Sequence, residues 1–232
     1  MRAINESQLE STQVQPKRWS LTRRANVPLP TWRGWILILL FCCLVLMGGR
    51  RAVYPFLAVN SPEPGGLLVI EGWAPSYALE MAREELKAGH YQRICVTGGP
   101  LELGANLTSF GSYAEVGAAS LIKLGLGTNE VQAVPAPWVR QDRTYTSAVA
   151  LGAWIKEHPV SPLKMTLVTV GPHARRSRLM FAKALGKDFR VGVVAVPPSD
   201  YEPSKWWKSS AGFRNVTGEI IAYLYAKVWF RP

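Results

Sequence analysis

The chain has 232 residues, with 27 Lys plus Arg against 16 Asp plus Glu, a formal net charge of +11. Hydrophobic residues make up 48% and charged residues 19%, which excludes a disordered, coiled-coil or collagen-like polymer and leaves material for one packed domain with an appendage. The charge is unevenly placed: up to Arg51 there are eight basic and two acidic residues, so about half of the excess stands on less than a quarter of the chain, a distribution that argues against nucleic acid as the partner.

Residues 1–31 are polar, carry Pro16, Pro28 and Pro30 and lack periodicity, as expected of a disordered cytoplasmic tail. From Gly34 to Gly49 the chain reads GWILILLFCCLVLMGG, sixteen residues without a charge, with Trp32 and Trp35 at one end and Arg50 and Arg51 at the other. Nine of these residues are Ile, Leu, Val or Phe, and together they favour insertion by about 3 to 5 kcal/mol. The run rises about 24 Å against a hydrocarbon core of about 30 Å, so its Trp and Arg flanks must make up the difference.

Two alternatives to a membrane span stay open. A buried core helix would carry a polar face, which this run lacks. A cleaved signal peptide would begin with a short basic stretch and end in small residues, whereas more than thirty residues precede this run and Arg50-Arg51 follows it. The favoured expectation is a transmembrane anchor with its flanks at residues 32–51, held in a lipid bilayer. Six basic residues before the run and two after it place the N-terminus in the cytoplasm and the remainder outside. Cys95 is the sole thiol beyond the run, so no disulfide is expected within the exported part.

Residues 52–66, ending in SPEPGG, read as a linker, and residues 67–230 as the folded domain. Short aliphatic runs at 67–70, 93–97, 131–134, 165–170 and 191–196 alternate with helical stretches at 76–87, 109–124, 144–157, 174–185 and about 211–228. Five strand-helix repeats with almost continuously apolar strands predict a doubly wound, Rossmann-like α/β domain with a five-stranded parallel sheet. Ligands of such sheets bind beyond the carboxyl ends of the strands. There the sequence places Glu71, then Thr97-Gly98-Gly99, then Arg140, Asp142, Arg143 and Thr144, and then His173 with Arg175, Arg176 and Arg178, with Glu115 in the helix after the second strand.

The fourth turn carries the clearest physical signal. A helix start bears partial positive charge and free N–H groups, yet this one opens on cations, so an anion is expected to offset them. His173 is a candidate proton carrier, Arg143 and Arg176 candidate phosphate ligands, and Gly98-Gly99 a turn that permits close backbone approach. No G-x-G-x-x-G or Walker-type lysine is present, and the three histidines, His90, His158 and His173, lack ligand-like spacing. Glu71, Asp142 and Glu115 remain a conceivable hard-cation set, although no metal is predicted. Ser109 and Ser112 lack a nucleophile-elbow context.

These landmarks, in order, are RICVTGG, a helix with Glu115, LGLG, DRTYTSA, LVTVGPHARRSR and a Trp206-Trp207 segment before a helix containing Glu219. The chain from Leu67 to about Tyr225 resembles the YdcF, SanA and ElyC family of bacterial envelope proteins, matching its Ser/Thr-Gly-Gly strand end at Thr97-Gly98-Gly99, its acidic helix at Glu115, its helix start at Thr144 and its His-x-x-Arg turn at His173 and Arg176. The chain departs from the family at Thr146-Ser147, where Glu-Asn is usual, and at Glu71-Gly72-Trp73, where a glycine-rich strand end is usual.

The resemblance implies a Rossmann-like domain anchored in the bacterial inner membrane and linked to peptidoglycan or polyprenyl-phosphate metabolism. Two functions follow. In the first, a phosphorylated envelope precursor, either a polyprenyl-phosphate or a sugar phosphate, is bound and processed by hydrolysis or transfer. Thr97, Gly98, Gly99, Glu115, Arg143, Thr144 and Arg176 then bind the substrate, and His173, Glu71 and Asp142 act in catalysis. In the second, the same pocket belongs to a non-catalytic module that recruits envelope proteins. The sequence identifies no cofactor.

Overall fold

The computed structural model describes residues 30–102 and 108–232. The tail at 1–29, and Asn106 of the loop that follows the second strand, lie outside the described residues. The chain divides into two units, 1–43 and 44–232, with one helix, α1 (Trp32–Leu57), running through the boundary. This 26-residue helix is about 39 Å long, and its most apolar stretch is unburied. It is long and apolar enough to cross a membrane, a character that N-terminal signal sequences share. In the first unit its side chains, Trp32 and Phe41 among them, are exposed.

In the second unit five parallel strands, β1 (Leu67–Glu71), β2 (Arg93–Gly98), β3 (Val131–Pro135), β4 (Lys164–Val170) and β5 (Arg190–Val196), pair in the order β3-β2-β1-β4-β5. The connecting helices are α2 (Ser76–Gly89), α3 (Tyr113–Lys123), α4 (Arg143–Glu157) and α5 (Ala174–Leu185), and α6 (Ser210–Val228) closes the chain. The Rossmann-like parallel sheet expected from the sequence is present, with strand limits within one residue of those read from the apolar runs.

Side-chain alternation explains why the strands are apolar throughout. Leu67 and Val69 of β1 face Ala148, Leu151 and Phe181 of α4 and α5, while Leu68 and Ile70 face Ala78, Leu79, Ala118 and Leu121 of α2 and α3. Both faces of β1 are therefore dry, and no position along it tolerates a polar residue until Glu71. The strand order reverses between β1 and β4, and this switch point holds the site.

The stretch expected as a linker, 52–66, is largely built into the domain. Helix α1 continues to Leu57, and Val53, Tyr54 and Leu57 pack with Tyr201, Trp206 and Val216. The indole of Trp206 donates to the Arg50 carbonyl (2.8 Å), Arg50 lies over the Trp207 ring, and Arg175 lies over Phe56. Beyond the helix, Ser61 exchanges backbone hydrogen bonds with Val193, and Glu63 N–H donates to Thr166 Oγ1 (2.9 Å). Tyr54 and Leu57 fall on one helix face three residues apart, so apolar spacing rather than Pro and Gly content governs this segment.

Leu57 has no exposed surface, so Leu57→Ala is expected to destabilise the full chain by about 2 to 5 kcal/mol. Urea denaturation in detergent measures this; a free linker at 52–66 would leave the transition unmoved.

Candidate functional site

The site begins with a carboxylate at the end of a buried strand. Glu71 is 3% exposed and sits where β1 adjoins β4. A buried carboxylate must be hydrogen-bonded or paired. The Thr169 hydroxyl of β4 donates to its Oε2, and Ser177 Oγ of α5 lies 3.1 and 3.3 Å from its two oxygens. His173 Nε2 stands 3.5 Å from Oε1. The next residue, Gly72, must be glycine: a Cβ there would run into the backbone of Tyr113 and Ala114 at the start of α3.

His173 ends a single 3-10 turn, Gly171–His173, that joins β4 to α5, and Gly171 takes a left-handed φ of 51° to make the corner. Arg176 follows three residues later on the same side. Both reach Glu219 of α6. His173 Nδ1 is 2.8 Å from Glu219 Oε1, Arg176 Nε donates to Oε2 (2.8 Å) and its Nη2 donates to Oε1 (3.0 Å). Arg176 Nη2 also lies 2.8 Å from His173 Nδ1, a cation-cation approach that Glu219 bridges. The Trp73 ring meets the imidazole edge-on at 5.1 Å.

Burial disfavours charge on each of these groups, and mutual pairing reverses that. Burial alone would lower the His173 pKa, but Glu71, with hydrogen bonds to Glu219 and Glu71, raises it to about 9. For Glu219 burial is outweighed by the His173 and Arg176 hydrogen bonds, which hold it at about 2. Burial of Glu71 is likewise outweighed, chiefly by His173, and its carboxyl lies below the ordinary range. At neutral pH the cluster contains two anions and two cations, and His173 is an imidazolium: a proton donor, not a base.

The anion expected at the start of α5 is thus supplied by the protein itself, through Glu219. The neighbouring arginines are engaged elsewhere. Arg175 donates to the Phe56 carbonyl and stacks on its ring, and Arg178 Nε donates to the Val191 carbonyl (2.8 Å).

A cavity of about 580 Å³ opens beside the cluster on the carboxyl rim of the sheet. Nine of the ten residues singled out in the sequence line it: Glu71, Thr97, Gly98, Gly99, Asp142, Arg143, Thr144, His173 and Arg176. Glu115 does not. Its carboxylate accepts from the N–H groups of Gly111 (2.6 Å) and Ser112 (3.0 Å), while Ser112 Oγ accepts from Glu115 N–H, a reciprocal cap that starts α3. Glu71, Asp142 and Glu115 therefore do not converge on a cation, and among the described residues no group of three or more His, Cys, Asp or Glu is placed to hold a metal ion.

The lining residues differ in what they can offer. Gly98 is a packing requirement, since a Cβ would come within 2.9 Å of Ala114 N and Tyr113 Cβ, whereas Gly99 has open space before it. Thr97 Oγ1 is buried without a hydrogen-bond partner. Asp142 takes a left-handed φ of 58° at the start of α4, and its side chain makes no capping bond. Arg143 is exposed and pairs with Glu102, and Thr144 Oγ1 accepts weakly from Arg176 Nη1 (3.5 Å). Trp73, Tyr113, Trp138, Met180 and Tyr225 supply apolar walls.

Glu219, Thr169, Ser177 and Trp73 were not among the residues singled out for the site. Glu219 had a readable signal: it shares the inward spacing of Gly212, Val216 and Ala226 on α6, and an acid on a buried helix face needs a cationic partner.

The fold and site define an α/β protein with a Rossmann-like sheet, a charge-balanced cluster at its switch point and an adjoining amphipathic cavity. Comparison of the chain with protein-family models, with curated proteins and with solved structures finds no match.

Glu219→Gln removes one anion from a buried cluster, and a loss of about 3 to 5 kcal/mol in stability is expected. The His173 contribution is fully present below pH 6.5 and is lost as the pH rises through about 9; the Glu219 contribution is present above pH 4.5 and is lost as the pH falls through about 2. Thermal unfolding against pH should therefore fall off on the alkaline side for the parent chain. In the Gln variant NMR should find the His173 titration moved down from about 9; an unmoved midpoint would mean that Glu219 does not govern it.

Proposed function

We propose that the chain is a membrane-anchored envelope protein of the YdcF, SanA and ElyC type, whose rim cavity binds a phosphorylated envelope precursor. The observation that carries this reading is the pairing, in one cavity, of a partly buried imidazolium with an unpartnered Thr97 hydroxyl and the unobstructed Cα of Gly99, among walls of Trp73, Tyr113 and Trp138. Phosphate needs donors, and the lipid or sugar attached to it suits aromatic walls. Arg140 makes no ion pair among the described residues and lines the same cavity, so it is free to meet ligand charge.

In this reading α1 crosses the bacterial inner membrane with the N-terminus in the cytoplasm, as the flanking charges favour, and the domain lies outside. As the new P–O bond forms and the old one breaks, His173 protonates the leaving oxygen, Asp142 orients the attacking hydroxyl or water and takes its proton, and Arg176 and Arg140 neutralise the phosphoryl charge. A second reading, a non-catalytic module that holds the same ligand while recruiting envelope proteins, draws support from the internal charge balance: His173 and Arg176 already have carboxylate partners.

The full chain in detergent, titrated with polyprenyl phosphates and sugar phosphates with and without divalent metal, tests both readings. Arg176→Ala should weaken binding about tenfold or more, the value of one charge-assisted hydrogen bond, and His173→Ala should abolish turnover while leaving measurable binding. Turnover that survives both changes removes the proposed site, and binding without turnover in the parent chain selects the non-catalytic module.

Orientation is tested separately by a C-terminal alkaline phosphatase fusion. It should be active; a stable but inactive fusion reverses the topology.

A further inference from the structure

The residue that ends the apolar run of α1 is already in contact with the domain. Arg50 accepts from Trp206 through its carbonyl and lies 4.6 Å over the Trp207 ring, and Tyr54, one turn further on, packs against Tyr201 beside Gly171 at the end of β4. The part of α1 within the domain unit, from Leu44 to Leu57, therefore leaves it at the carboxyl rim of the sheet, with no free chain between the apolar run and that rim. The rim exposes large aromatic side chains. Trp73 follows β1 and is 45% exposed, Trp138 follows β3 and is 69% exposed, and Phe213, in the first turn of α6 beside Trp206, is 54% exposed. Exposed cations occur on the same loops and helix start: Arg140, Lys208 and Arg214 make no ion pair among the described residues, whereas of the exposed acids there Glu102 is paired with Arg143, Glu202 with Lys205, and Asp200 makes no ion pair among the described residues. Aromatic rings together with lysine and arginine suit the boundary of an anionic bilayer, where rings sit at headgroup level and cations meet lipid phosphate.

We infer that the carboxyl rim, through Trp73, Trp138, Trp207 and Phe213 with Arg140 and Arg214, rests on the anionic surface of the bilayer that α1 enters, so that the cavity opens toward lipid and not toward bulk water. The inference rests on α1 crossing a membrane and is independent of what the cavity binds. Trp73 and Trp138 are at once cavity walls and rim residues, so a ligand with a headgroup in the cavity reaches it from the interface.

The test uses the full chain in vesicles of phosphatidylcholine with phosphatidylglycerol, doped with a phospholipid that carries a photoreactive group near its headgroup, and maps labelled peptides by mass spectrometry. Labels are expected on α1 and on the peptides holding Trp73, Trp138 and Trp207 to Phe213. In vesicles of phosphatidylcholine alone, rim labelling should fall by about fivefold or more, fivefold being the effect of a single cation at an anionic surface, with α1 labelling unchanged. Phe213→Ser should lower labelling of its own peptide while Trp138 stays labelled. Labels confined to α1, labels on Ile221 to Trp229 in place of the rim, or rim labelling indifferent to phosphatidylglycerol would each overturn the inference.

Discussion

The structure turns on the pairing of four charges, Glu71 buried and His173, Arg176 and Glu219 largely so. None of them is stable alone in that position, because the cost of an unpaired buried ion is several kcal/mol. Each comes from a different segment or turn: the end of β1, the 3-10 turn after β4, the first turn of α5 and the middle of α6. The cluster thereby fixes the last helix of the chain against the sheet's switch point, and it is this fixed helix that turns an open rim into a cavity, through Ala222 and Tyr225. A wholly apolar substitute could pack as well, but it would not hold an imidazolium at the cavity wall.

Much of this was legible in the sequence for definite reasons. A strand covered on both faces carries few polar residues, and those such as Thr166 and Thr169 of β4 are small and hydrogen-bonded, so its apolar run marks its limits; β4 and β5 each extend just one residue beyond theirs. A helix start is less visible, and the stretch from 109 begins as helix only at Tyr113, where Ser112 and Glu115 cap each other. The same exchange removes Glu115 from the cavity. Its acidity was a local signal with a local use, whereas Glu71, equally acidic, had no local partner and so was driven to find distant ones. Of the cations that open α5 only Arg176 meets an anion, and that partner, Glu219, lies more than forty residues away on α6, a distance no spacing rule spans; Arg175 and Arg178 meet backbone carbonyls.

Residues 52–57 teach a related lesson. Pro55, and the Pro and Gly that follow at 61–66, are the usual marks of a linker, yet proline here falls near the end of a helix whose Val53, Tyr54 and Leu57 are committed to the core. Proline costs a helix one backbone hydrogen bond and a clash one turn back. Burying Leu57 fully, together with the Arg50–Trp206 bond, offsets a cost of that size. Composition alone could not have decided between these terms, because the deciding one depends on the surface that Tyr201, Trp206 and Val216 present.

The balance of charge inside the cluster also limits how the cavity can recognise a ligand. Because His173 and Arg176 are already matched by Glu71 and Glu219, a ligand anion gains only what it adds to bonds that the carboxylates keep, and a dianion that displaced Glu219 would leave a buried carboxylate unpaired. Discrimination then falls to groups without internal partners: the Thr97 hydroxyl, Arg140 and the uncapped Asp142. Asp142 repels any second negative charge that approaches it. The arrangement therefore favours a ligand that brings one anionic group close to His173 and turns hydroxyl or apolar surface toward Asp142 and Trp138, and it disfavours compact polyanions.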